Sequence, residues 1–358
     1  MRLRSSGRRR CGGVLLAGLV SAVLTGSLSA QGRDQTRKGD EAQRADAQTL
    51  VDIVEAAALG KPAASGGLDL TWGRHYFLKA QGDRTYVPFV MLLPPGSTST
   101  ANVGLYLRVV ARDVGETAPQ QEGGTKKDPV KESPYAFEDL YFFQLPQTTG
   151  GRPSQISRAF AVTPGEYDVY VVLKERAPSK SSETPAKTGL VHQRITVPNF
   201  HVDDLTTSDV IFAQRVDTRA EPIDPELQAD HPFTFGQMEI QPATEYRFSK
   251  KDMLQFVFWI YGAGMDPQTK KPDVNIEYKF HRVEGEKQSY FNRTEPQILN
   301  GQTLPPEFDA AVGHQLAGSL ADVPLASFPE GDYRLEIEIQ DKAAGRQITR
   351  DVRFAVAP

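Results

Sequence analysis

Cysteine is nearly absent from this chain, since its 358 residues include one, Cys11. If the N-terminal segment is removed, the mature protein has none, which excludes both disulfide bonds and a cysteine nucleophile. Tryptophan is also scarce, with two residues. The stability of a chain of this length must therefore come from buried apolar area.

Sequence motifs of the common enzyme classes are missing as well. The chain has no Gly-x-Ser-x-Gly, no His-Glu-x-x-His, no phosphate loop and no Gly-x-Gly-x-x-Gly. The tripeptide Lys187-Thr188-Gly189 lacks the Ser-x-x-Lys that accompanies it in penicillin-binding serine enzymes. The sequence therefore predicts no catalytic residue, no cofactor and no metal ligand. A site assembled across distant strands stays open.

Acidic residues are missing from the first 30 positions, which carry five arginines. The apolar stretch Val14–Leu24 follows them and is shorter than the about 20 residues of a membrane span. This pattern predicts a signal peptide over residues 1–30, cut after Ala30 or Ser29, although an uncleaved anchor is the alternative. The remaining chain has a net charge of −9, which disfavours nucleic acid as a partner. We expect a periplasmic or secreted protein without a transmembrane span.

The rest of the chain shows two patterns of apolar residues, first with helical spacing and then with the alternation of strands. Residues 31–67 read as a polar linker with a short amphipathic helix at 45–59. From Leu68 onward, apolar residues alternate with polar ones, and no long helical pattern interrupts them. Short strands joined by turns predict an all-β fold of tandem immunoglobulin-like antiparallel sandwiches, at 68–198 and 199–358. Two polar stretches, 113–134 and 176–188, are expected to be exposed hairpin loops.

A faint repeat supports the tandem arrangement. Gly165-Glu166-Tyr167 and Gly331-Asp332-Tyr333 each open a strand, and the two copies lie 166 residues apart. In immunoglobulin-like sandwiches, a tyrosine near a strand start ties a corner through its hydroxyl.

The strand Met253–Tyr261 is apolar on both faces, which predicts that both are covered. Trp259 is interpreted as a core residue of a sandwich, or as part of a face that packs on the other domain or another subunit. The third interpretation is an exposed platform for a sugar or peptide, formed by Trp259 and Tyr261. Trp72 is a further candidate for a contact surface.

Three segments resemble β-rich regions of exported acidobacterial proteins related to von Willebrand factor A and GWxTD-motif proteins. They are residues 77–89, 313–316 and 323–335. The resemblance implies export and a sandwich fold. It transfers no site residue, because Asp-x-Ser-x-Ser is absent and Thr71-Trp72-Gly73 does not match Gly-Trp-x-Thr-Asp.

These observations favour a non-enzymatic binding or assembly module whose partner is an unknown envelope protein or glycan. An exposed sheet edge or the Trp259 face would carry the contact. The alternative is a carbohydrate-binding module or a weak glycan-acting enzyme, which requires exposed, coplanar aromatic residues near paired acids.

Overall fold

The structure is a computed structural model that describes residues 28–61, 66–112, 134–146, 151–176, 186–224, 227–310 and 313–358. Residues 46–358 form one compact unit, and residues 1–45 form another. The predicted signal peptide falls, up to residue 27, outside the described residues. So do most of the two predicted loops. The domain boundary predicted between residues 198 and 199 stays a prediction.

Helix α1 spans Leu28–Ala58, so the predicted short helix begins well before residue 45. The segment of α1 before residue 45 has no proline, and its two glycines, Gly32 and Gly39, weaken a helix without ending it. The helix ends at Gly60, whose φ of 68° is the left-handed conformation of a C-terminal cap. The amides of Gly60 and Lys61 donate to the carbonyls of Ala57 and Ala56, each at 2.9 Å.

The first sandwich contains two four-stranded sheets. Sheet 1 has the order β6-β3, with β1 and β2 sharing the other edge of β3, and sheet 2 has the order β5-β4-β7-β8. The strands are β1 (Thr71–His75), β2 (Leu78–Lys79), β3 (Thr85–Leu93), β4 (Asn102–Ala111), β5 (Phe137–Gln144), β6 (Ser154–Val162), β7 (Gly165–Glu175) and β8 (Thr188–Val197).

The second sandwich contains two six-stranded sheets. Sheet 3 has the order β11-β12-β10-β14-β18, with β9 beside β14, and sheet 4 has the order β13-β20-β19-β15-β16, with β17 beside β15. The strands are β9 (Thr206–Thr207), β10 (Ile211–Thr218), β11 (Thr234–Phe235), β12 (Met238–Pro242), β13 (Arg247–Ser249), β14 (Met253–Tyr261), β15 (Val274–Glu284), β16 (Lys287–Arg293), β17 (Gln297–Leu299), β18 (Leu316–Pro324), β19 (Gly331–Asp341) and β20 (Arg346–Ala357).

The two sandwiches repeat one topology. The sheet order β5-β4-β7-β8 recurs as β16-β15-β19-β20. Strand β3, with β6 on one edge and β1 and β2 on the other, recurs as β14 with β18, β9 and β10. Strands β11, β12, β13 and β17 are additions to the second copy. The all-β, tandem immunoglobulin-like fold predicted from the sequence is therefore observed.

The repeated tyrosines form the same corner in both copies. The hydroxyl of Tyr167 donates to the carbonyl of Thr163 at 2.8 Å, and that of Tyr333 donates to the carbonyl of Pro329 at 2.7 Å. In each case the acceptor lies four residues before the tyrosine, and both side chains are buried. The corner holds the start of β7 and of β19 against the connection from the opposite sheet.

Replacing either corner tyrosine by phenylalanine removes one hydrogen bond while keeping the ring. We expect Tyr167→Phe and Tyr333→Phe each to lower the free energy of unfolding by about 0.5–1.5 kcal/mol. The two losses should add, because the corners lie in separate cores. Denaturant unfolding of the two single variants and the double variant measures this. An unchanged midpoint in both single variants would contradict the corner role.

Each sandwich has its own core between its two sheets, and a third apolar cluster joins sheet 1 to sheet 3. Because of this shared cluster, residues 46–358 form one unit. The outer face of sheet 2 is covered by the C-terminal half of α1, through Leu50, Ile53 and Val54. The predicted packing of the helix on the first sandwich is thus present.

Pro88 lies within β3, which has neighbouring strands on both sides. The carbonyl of Pro88 accepts from the amide of Tyr76, so its N atom faces the same side. Tyr76 lies between β1 and β2, where the strand on that edge is interrupted. The missing N–H of proline is tolerated at this interruption.

Candidate functional site

Trp259 and Tyr261 lie between the two sandwiches and offer no exposed surface. Their exposed fractions are 6% and 5%, and both belong to the cluster between sheets 1 and 3. The hydroxyl of Tyr261 accepts the amide of Lys79 at 3.0 Å, across the junction. The Trp259 face therefore packs on the other sandwich, and it cannot form the exposed platform that a sugar requires.

Trp72 lies elsewhere, in β1, against the core of the first sandwich. Its ring stacks on Phe89 with centroids 4.6 Å apart, and its indole N–H donates to Nδ1 of His75 at 3.1 Å. Trp72 is half-buried and belongs to a different cluster from Trp259. The three aromatic residues singled out by the sequence therefore do not form one contact surface.

One open edge of the first sandwich is formed by β5, which pairs with β4 in an unbroken register of eight residues. Within the described ranges, no strand pairs with the other edge of β5. Four of its residues are aromatic, and its central residues, 140–143, are half-buried. A long, regular, apolar edge presents a row of backbone donors and acceptors to any extended chain.

The inward face of this edge contains a buried cation. Arg158 of β6 is 5% exposed, and its guanidinium lies 4.6 Å from the ring centroid of Tyr141 and 4.3 Å from that of Phe143. Its closest carboxylate, on Asp230, is 3.6 Å away. Burial lowers the pKa of Arg158, against the opposing effect of Asp230, Tyr141 and Asp139. Burial also raises the pKa of Tyr141, and Asp139 raises it further.

The outward face of the β5 edge also has a buried arginine beside a tyrosine and acidic residues. Arg108 of β4 is 4% exposed, and its Nε donates to the hydroxyl of Tyr106 at 2.8 Å. That hydroxyl donates to Glu138 of β5 at 2.7 Å, and Glu55 of α1 lies 3.9 Å from Arg108. Burial, and the hydrogen bond to Glu138, raise the pKa of Tyr106. Each face of the β5 edge thus has one buried arginine and two acids.

The equivalent edge of the second sandwich, β16, has a different character. It begins with Lys287 and ends with Arg293, and its register with β15 is broken between Phe280 and His281. Most of its side chains are exposed. Charged residues and a bulge are the features by which sheets protect their edges from further pairing. Of these two equivalent edges, β5 is the one suited to accept a strand.

Another polar cluster, on β7 and β8, is satisfied internally. Asp168 accepts from Nε2 of His192 at 2.7 Å and from both Arg112 and Arg194 at 3.3 Å. Burial raises the pKa of Asp168, but these partners outweigh it and hold the pKa below its usual range. The His192 ring stacks on Tyr170, with centroids 4.5 Å apart. Because these groups already bind one another, the β5 edge is the better candidate for contact with a partner.

Among the described residues, no group of three or more histidine, cysteine, aspartate or glutamate side chains is placed to hold a metal ion. Over the same part of the chain, no helix combines the length and apolar character that a membrane crossing needs. Asp203 and Asp204 are exposed in a bend before β9.

Comparison with known proteins yields similarity to solved structures alone. No family model matches the chain, and no curated protein matches it. It is similar to Salmonella alpha-2-macroglobulin reacted with methylamine, at 16% identity over 81% of this chain, with a TM-score of 0.19. It is also similar to trypsin-activated alpha-2-macroglobulin from Escherichia coli, at 12% identity over 82% of this chain, with a TM-score of 0.20. The chain spans 16% and 17% of the length of those two proteins.

Proposed function

We propose that this chain is an exported binding or assembly module that binds an envelope protein by adding one of the partner's strands to β5. The observation that carries the proposal is the regular, aromatic edge of β5, which has no neighbouring strand among the described residues. Strand addition derives its affinity from main-chain hydrogen bonds and its selectivity from alternate side chains. Export is supported by the five arginines and the apolar stretch at the N-terminus.

The rest of the fold supports a role in holding partners at fixed positions. The junction between the sandwiches contains an apolar cluster and hydrogen bonds that cross it. The hydroxyl of Tyr86 donates to the carbonyl of Pro232, and Nε of Arg74 donates to the carbonyl of Thr244, both at 2.9 Å. A module with a rigid junction presents its β5 edge in a constant relation to the second sandwich. Glycan binding has no comparable support, because Trp259 and Tyr261 are covered.

The test is site-specific photocrosslinking in the native envelope. A photoreactive residue replaces Gln144, which is exposed at the end of β5, or Ser289, which is exposed on the equivalent strand β16. We expect a specific crosslink from position 144 and none from position 289. Hydrogen exchange with the purified partner should then slow at the amides of β5 and not at those of β16. Equal crosslinking at both positions, or unchanged exchange in β5, would refute the proposal.

A further inference from the structure

We infer that the strand accepted by β5 carries two adjacent basic residues next to a run of apolar residues. This inference rests on the proposed function and specifies the chemistry of the partner. It follows from the order of side chains along β5, where two acids, Glu138 and Asp139, are followed by four apolar or aromatic residues, 140–143. A partner strand meets these residues one by one, in register.

The two acids project to opposite faces of the sheet, because successive side chains in a strand alternate. Glu138 belongs to the outward group with Glu55 and Arg108. Asp139 belongs to the inward group, where it influences the pKa values of both Tyr141 and Arg158.

Each of these two groups contains two carboxylates and one guanidinium, and therefore has a formal charge of −1. The excess acid on each face is accessible, since Glu55 is 55% exposed and Asp230 is 61% exposed, whereas both arginines are buried. One cation on each face neutralises the group that contains Glu138 or Asp139, and two adjacent residues of an added strand supply one side chain to each face. Arg176 lies 4.6 Å from the ring of Phe142, farther along β5, and already pairs with Asp46.

The surroundings of Arg158 are a second indication that the β5 edge lacks a neighbouring strand. Its Nε is buried and has no hydrogen-bond partner within the described part of the chain. The guanidinium contacts the rings of two β5 residues, with centroids at 4.6 Å for Tyr141 and 4.3 Å for Phe143. A buried donor without an acceptor is destabilising, and a carbonyl or hydroxyl of an added strand can supply the acceptor.

A second copy of this chain fits the edge less well. Two β5 strands paired antiparallel place the acids either opposite each other or opposite the aromatic residues. In the first register like charges meet, and in the second no cation reaches Glu138 or Asp139. Charge complementarity therefore favours a different partner. Since β5 already pairs antiparallel with β4, we take the antiparallel orientation, in which the apolar run precedes the two basic residues.

The experiment uses three synthetic peptides that share a run of valine and isoleucine and end in two lysines, two glutamines or two glutamates. Binding to the full chain is measured by fluorescence anisotropy, and hydrogen exchange reports protection of the β5 amides. We expect the lysine peptide to bind about threefold to tenfold more tightly than the glutamine peptide, because two exposed ion pairs form. The glutamate peptide should bind most weakly, and raised salt should reduce the differences.

The double variant Glu138→Gln, Asp139→Asn tests whether these two acids cause the preference. Glutamine at 138 keeps an acceptor for the hydroxyl of Tyr106. We expect the variant to bind the lysine and glutamine peptides equally. The matched control Glu284→Gln, Glu286→Gln removes two acids at the turn before β16 and should retain the full preference.

The outcomes separate the two proposals. If the wild-type chain binds the lysine and glutamine peptides equally and both protect β5, strand addition stands and the dibasic partner is refuted. If no peptide protects β5, both the proposed function and this inference fail. If the chain self-associates and its β5 amides are already protected without peptide, a second copy occupies the edge, and the inference is overturned.

Discussion

Replacing Gly318 by alanine is expected to lower the free energy of unfolding by about 3 kcal/mol. Gly318 lies on β18 directly opposite Phe258 of β14. A Cβ atom at this position would lie 2.2 Å from Cζ of Phe258, with two further ring atoms within 2.7 Å. Phe258 is completely buried in the core of the second sandwich, so its ring cannot move without displacing the surrounding side chains.

Denaturant unfolding of Gly318→Ala and of Gly301→Ala provides the comparison. At Gly301 the nearest atom to a new Cβ is 3.5 Å away, so this control should change stability by less than about 0.5 kcal/mol. The double variant Gly318→Ala, Phe258→Leu should recover part of the loss, because leucine leaves room for the added methyl group. If Gly318→Ala and Gly301→Ala behave alike, the close contact with Phe258 does not limit this position.

Replacing Trp259 by alanine is expected to remove about 3–5 kcal/mol, the usual cost of deleting a large buried aromatic side chain. The side chain packs between the sandwiches, where its ring lies 4.6 Å from that of Phe235. The cavity would weaken the contact that makes residues 46–358 one unit. We therefore expect the single unfolding transition of the wild type to separate into two, one for each sandwich.

Calorimetry of Trp259→Ala beside Tyr290→Ala tests this prediction. Tyr290 is 59% exposed on β16, so its removal should leave both the midpoint and the number of transitions unchanged. A loss below about 1 kcal/mol in Trp259→Ala, with one transition retained, would show that the junction does not depend on this side chain.

Local signals were sufficient to predict much of the fold. The strand Met253–Tyr261 was predicted with its observed bounds, since every residue at its alternate positions is apolar or aromatic. The two tyrosine corners followed from a short pattern that depends on near neighbours. In contrast, β6 and β18 have weak sequence patterns. In β6 the buried face includes Arg158, and β18 contains Gly318 and ends at Pro324, so neither shows an uninterrupted alternation.

The candidate site was harder to predict than the strands that form it. The aromatic residues of β5 are evident in the sequence, but the position of this strand at an open edge depends on the order of the whole sheet. Asp139, Arg158 and Asp230 come from three distant segments, and no local spacing connects them. The covered face of Trp259 is a similar case, because sequence leaves open whether a second apolar face meets a domain, a subunit or water.

The junction between the sandwiches determines which of their surfaces remain free for contact with a further sandwich. The two sheets that meet there, sheet 1 and sheet 3, are the same sheet in each copy of the repeat. Where two such surfaces cover each other, neither is free to bind a further copy. A head-to-tail contact would instead leave a complementary surface at each end for a further sandwich. Within residues 46–358, each sandwich therefore has this face of its sheet covered by the other sandwich.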